Sequence, residues 1–154
     1  MRFKKVFFTI VLFFFSQINI IHALEPDVFV QSTVNRASQI LSKNISKEKK
    51  MDQLKIIATE TVDIEGIGYY SLGSARNQLN DVEKEEFSKF FRKYFLKSFS
   101  SRLAEYTNPE IEVNNKQILN KNYTIVNSLL VGTADRPEVK IDWRIYTKNT
   151  NNPL

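Results

Sequence analysis

The sequence predicts an α+β fold, with N-terminal helices packed on a curved antiparallel sheet. Two observations carry that expectation. Up to Tyr106 the apolar residues recur at steps of three and four, and after Pro109 the step becomes two. Helical pattern first and strand pattern second is the order of an α+β chain. A third observation sets the scale: 154 residues allow one domain or a domain with an appendage.

The appendage comes first. Arg2, Lys4 and Lys5 precede a mostly apolar run from Val6 to Ile21, broken at Ser16, Gln17 and Asn19. Ala23 is a small residue suited to the last position before a signal-peptidase cut. This is the three-part secretory pattern, so residues 1–23 read as a cleavable signal peptide and 24–154 as a single exported domain. The run is short for a membrane span. Bulky Ile21, two residues before Ala23, keeps an uncleaved signal anchor as the other reading.

Residues 1–23 hold the only histidine, His22, and six of the twelve phenylalanines. They also hold three basic residues and no acidic ones, so the net charge falls from +5 to +2 without them. The remainder has no His and no Cys, which excludes a thiol nucleophile, a disulfide, a Cys/His metal site and an imidazole base. An exported chain with so small a net charge is not expected to bind nucleic acid. No cofactor or metal is expected.

Pro26 fits a first helical turn, and Val30, Val34, Ala37 and Leu41 follow at helical spacing to about Ser42. Met51, Leu54, Ile57, Ala58 and Thr61 mark a second helix from about Ser46 to Val62. Asp63 reads as a cap, and Gly66 to Gly73 as a short helical or irregular piece with Gly73 suited to a left-handed end. Asn80 with Glu83 signals the next helix start. Phe87, Phe90, Phe91, Tyr94, Phe95, Phe99, Leu103 and Tyr106 then form a wide aromatic face, and Pro109 is the predicted stop. Ile111 to Leu119 and Tyr123 to Thr133 read as strands. Val139, Ile141, Trp143 and Ile145 alternate with Lys140, Asp142 and Arg144, a strand with one buried and one wet face.

The chemical motifs are weak. Ser46-Lys47-Glu48-Lys49 matches the S-x-x-K pattern of acyl enzymes, but its partner motifs are absent, so Ser46 reads as a helix cap. Gly66-Ile67-Gly68 opens like a dinucleotide loop, yet position 71 is Ser and no strand leads into it. Glu83, Glu85 and Glu86 sit where a helix N-terminus favours negative charge. The Lys47 to Lys50 cluster reads as a solvated helix start, with weak attraction to anionic membranes as its functional alternative. The aromatic face is the most informative feature. It predicts either packing on the sheet or one wall of an apolar cavity, and periodicity does not separate the two.

From Asp63 to Tyr106 the chain resembles the MlaC family, also called toluene-tolerance or auxiliary ABC-transport proteins. The matching residues are Val62-Asp63, Ile67 to Gly73, the polar linker to Asn80, Glu86-Phe87, Phe90-Phe91 and Tyr106. Glu25-Pro26 to Leu41 also looks like that family, as does Val126-Asn127-Ser128 with Val139 to Arg144. Ser74-Ala75-Arg76 departs from the family's basic or aromatic lead-in. The resemblance implies a nuclear-transport-factor-2-like fold and a periplasmic, non-enzymatic phospholipid carrier. Its implied partners are an inner-membrane ABC transporter complex and an outer-membrane lipoprotein complex. It also implies one more strand and a C-terminal helix after Leu154, so the domain is expected to be C-terminally incomplete.

Apolarity and facing then select Ile67, Tyr70, Leu72, Phe91, Phe95, Phe99, Leu129, Ile141 and Trp143 as lipid-contacting residues. Two other functions stay open at this point. One is a carboxylate enzyme on the same fold, using Asp63 or Asp142. The other is a ligand-free adaptor with a solid core.

Overall fold

The structure, a computed structural model, describes residues 24–147; residues 1–23, read above as a signal peptide, and the polar residues 148–154 lie outside them. Four α-helices precede three strands. Helix α1 (Pro26–Leu41) opens on its proline and buries Val30, Val34, Ile40 and Leu41. Helix α2 (Lys47–Thr61) is capped by Ser46, whose hydroxyl accepts the Lys49 N–H at 3.3 Å. The S-x-x-K motif is therefore a cap. Helix α3 (Ile64–Ser71) is capped by Asp63, which accepts the Gly66 N–H at 2.9 Å. Gly73 follows at φ +55°, the left-handed conformation that a residue without Cβ adopts freely, and a 3-10 turn covers Gly73–Asn77.

Helix α4 (Asp81–Leu103) starts with the expected capping box. Asn80 accepts the Glu83 N–H at 3.0 Å, and Glu83 accepts the Asn80 N–H at 2.9 Å. It ends at Leu103, earlier than Pro109 implied. The amides of Glu105 and Tyr106 tighten back onto the carbonyls of Arg102 and Leu103. Tyr106 packs beside Leu103 and Ala104 against the Ile40–Leu41–Leu54–Ile57 cluster, with the Arg136 guanidinium 4.4 Å from its ring centre. Asn108 takes φ 52°, so the chain has already turned before the proline. Tertiary packing, not proline, stops this helix.

Strands β1 (Ile111–Asn120), β2 (Tyr123–Leu130) and β3 (Val139–Tyr146) form an antiparallel sheet in the order β1-β2-β3. The core has two centres. Val30 and Val34 of α1 meet Val126 and Ile145 of the sheet, with Phe29, Ile111, Val113 and Trp143 around them. Ile40 and Leu41, at the other end of α1, join Leu54 and Ile57 of α2. Helix α1 thus covers the sheet, while α4 packs on α2 and α3. The long aromatic helix takes the second layer of helices instead of the sheet.

Cross-strand partners point to one side, so the register assigns faces. Thr124, Val126 and Ser128 pair with Ile145, Trp143 and Ile141 on the side covered by α1. A bulge between Val113 and Asn115 inserts one residue into β1 and flips its alternation. Lys116 consequently pairs with Val126 on the α1 side. There it donates to Glu25 at 2.6 Å and Asp27 at 2.7 Å, tying the start of α1 to the sheet.

Candidate functional site

The site is built on a spacing of four. Phe87, Phe91, Phe95 and Phe99 occupy one row of α4, and their rings stack with centre separations of 5.7, 6.2 and 5.5 Å. Twelve residues of helix make this ladder about 18 Å long. All four rings are half-buried. Their planes incline by 28°, 27° and 10°, the offset stacking that ring quadrupoles permit.

Helix α3 seats on this ladder through a glycine. A Cβ on Gly68 would lie 2.9 Å from the Phe91 ring, closer than side chains tolerate. The missing side chain is what lets the α3 backbone approach. Ile64 and Gly68 are buried, while Ile67, at the flank of that face, and Tyr70, on the other side of α3, are 43% and 79% exposed. Leu72 sits at the α3 C-cap, half-buried.

The nine residues selected from the sequence thus fall into three groups. Ile67, Tyr70 and Leu72 lie on α3 or its cap, and Phe91, Phe95 and Phe99 lie on the ladder that α3 partly covers. Ile141 and Trp143 lie on the sheet face under α1. Leu129 lies on the opposite face, paired with Glu112 and Lys140. It alternates with Ser128, and only one of two neighbours in a strand faces a given side. The structure therefore brings the α3 and α4 groups together and sends Leu129 elsewhere.

Three features of the site lie outside the nine selected residues. Phe87 begins the ladder, and the regular spacing of four was the signal available for it. Gly68 is the contact point of α3. Ser128 is buried and accepts the Trp143 indole N–H at 2.8 Å, which fixes that ring in the sheet. This bond joins the two segments that looked paired in the sequence.

The carboxylates have structural partners. Asp63 caps α3, and Asp142 accepts the Asn127 amide at 2.6 Å on the outer sheet face. The Lys116 hydrogen bond holds the Asp27 carboxyl below its ordinary range, and the same bond raises the Lys116 ammonium. Among the described residues no cluster of His, Cys, Asp and Glu could hold a metal, and no helix is long and apolar enough to cross a membrane. Two open surface hollows lie elsewhere, along α1 and α2, and their lining includes Asn35, Gln39 and Lys43. None of the nine residues lines them.

Fold and site together define an α+β protein whose distinguishing surface is a run of stacked aromatic rings bordered by a short helix. The chain belongs to the MlaC family, whose sequence pattern, described as MlaC protein, matches residues 31–153. Among solved structures the fold is similar to that of a phospholipid-binding protein from Ralstonia solanacearum, determined in complex with a phospholipid. The TM-score is 0.63 at 11% identity, over 80% of this chain and 72% of that one. No curated protein matches the sequence significantly.

Proposed function

We propose that this chain is a non-enzymatic phospholipid carrier of the periplasm, exported by a signal peptide cut after Ala23. In this reading it exchanges lipid with an inner-membrane ABC transporter complex and an outer-membrane lipoprotein complex. The observation that carries it is the half-buried phenylalanine ladder in a chain of the MlaC family. The similarity in fold to a phospholipid-bound protein supports it.

The physics asks for apolar surface, not for a reactive group. Two acyl tails of about 30 methylenes leave a bilayer only when shielding on the order of 20 kcal/mol replaces the membrane. Rings that are already half-covered supply such surface without opening the buried centres of the fold. Eight of the selected residues, all but Leu129, are proposed contacts, with the ladder and α3 as the first part to meet a tail. Ile141 and Trp143 would extend that contact along the sheet.

The ligand-free adaptor is favoured by one observation: the two surface hollows along α1 and α2 do not coincide with the ladder. Native mass spectrometry of protein purified from Gram-negative cells separates the two. A carrier is expected to retain phospholipid that can be extracted and identified, and to take lipid from vesicles. A protein that carries no lipid and takes up none is the adaptor.

A further inference from the structure

Two exposed rows of α4 lie outside the ladder. Phe90 and Tyr94 are one helical turn apart and are 59% and 68% exposed. Lys89, Lys93 and Lys97 repeat the same step one residue earlier and form an adjoining row, all exposed. Rows one residue apart lie about 100° apart around a helix. None of the three lysines forms an ion pair among the described residues. From Phe87 to Ala104 the helix holds five basic residues and no acidic one. Large aromatic rings left in water beside unpaired ammonium groups need an explanation that packing among the described residues does not provide.

We propose that this flank of α4 is a docking surface for an anionic bilayer, with Phe90 and Tyr94 entering the headgroup region and Lys89, Lys93 and Lys97 resting on lipid phosphates. Charge complementarity identifies the occupant. Lysines attract an anionic leaflet, and their flexible stems let the ammonium groups reach headgroups while the helix lies flat. Tyrosine has an apolar ring and a polar tip, the combination that settles at a membrane interface. The rows stand on the convex ridge of one helix. A deformable lipid surface accommodates such a ridge, whereas a protein partner needs a matching groove of about 800 Å². The rows border the ladder, Phe90 lying three residues from Phe87 and Tyr94 three from Phe91, and they are distinct from the Lys47–Lys50 corner, where Lys47 pairs with Glu105 and Lys50 bonds the Leu41 carbonyl. The inference does not require that the protein carry lipid.

The test is cosedimentation of the purified protein with vesicles of neutral phosphatidylcholine and with vesicles that also contain anionic phosphatidylglycerol. All variants keep the same N terminus, so the apolar first segment contributes equally. The parent is expected to prefer anionic vesicles and to lose that preference in high salt. Each lysine contributes about fivefold, so K89Q/K93Q/K97Q lowers partitioning about a hundredfold and K93Q alone about fivefold. F90S/Y94S lowers it about tenfold. K43Q/K49Q, which removes two charges outside α4, changes it less than about twofold. Circular dichroism checks that each variant is folded, and K93Q serves if the triple variant is not. Equal binding to both vesicle types overturns the proposal. So does a triple variant that binds like the parent, or a K43Q/K49Q variant that loses as much as the triple. Lipid retention is measured on the same samples, so failure of docking and failure of carriage are read independently.

Discussion

Helices α1 and α4 use apolar residues in opposite ways. Helix α1 has 16 residues and buries four large aliphatic side chains, which reach both core centres. Helix α4 has 23 residues and six of the thirteen aromatic rings after the first segment, yet its one fully buried residue is Ser100. That serine satisfies itself by donating to the Leu96 carbonyl at 2.7 Å. Aromatic content therefore does not locate the core of this protein. The centres that hold the fold are aliphatic and small, and the rings form a surface between core and water.

The comparison predicts a ranking of stabilities. Leu41→Ala, in α1, removes a side chain with 3% exposure and is expected to cost about 3 kcal/mol in denaturant unfolding. A loss under about 1 kcal/mol would mean that the α1–α2 centre is not the anchor described. Gly68→Leu forces a side chain into the Phe91 ring and is expected to cost about 2 kcal/mol. In a Phe91→Ala background the same change should cost distinctly less, and a double-mutant cycle with no coupling would remove the α3–ladder contact from the account.

Phe95→Ala tests the other helix. A core Phe→Ala change costs about 3–5 kcal/mol, but a half-wet ring in the ladder should cost only about 1–2 kcal/mol. The same variant is expected to retain less phospholipid. A full core-sized loss of stability would turn the ladder back into ordinary interior.

The smallest effect belongs to the Lys116 clamp. Its hydrogen bond lowers the Asp27 carboxyl from an ordinary 3.8 and raises the Lys116 ammonium from an ordinary 10.5. A lowered carboxyl stabilises the fold above its unfolded pKa and stops doing so as pH falls through the folded value. A raised ammonium stabilises below its unfolded pKa and stops doing so as pH rises through the folded value. The difference in Tm between the parent and Lys116→Met is therefore expected to be full at neutral pH and to shrink below about pH 4 and above about pH 10.5. A difference that is flat across this range would show that the clamp contributes nothing.

Much of the candidate site was legible because a helix repeats at a known step. The helical period placed Phe87, Phe91, Phe95 and Phe99 on one wide aromatic face, together with Phe90 and Tyr94, before any coordinates. Leu129 was misgrouped with Ile141 and Trp143 because an apolar run on both faces of a strand gives no parity signal. Gly68 was passed over because a glycine shows its role only through what approaches it.

By itself the sequence determined the local elements. Ser46, Asp63 and the Asn80–Glu83 box each bond backbone amides within three residues, so their caps follow from nearest neighbours in the chain. Tertiary structure decided what those elements meet. The β1 bulge turned Lys116 toward α1, Tyr106 ended α4 by packing against α1 and α2, and α1 took the sheet face in place of the more aromatic helix. Each of these is set by contacts between residues far apart in sequence, and periodicity, which measures only spacing along the chain, carries no record of them.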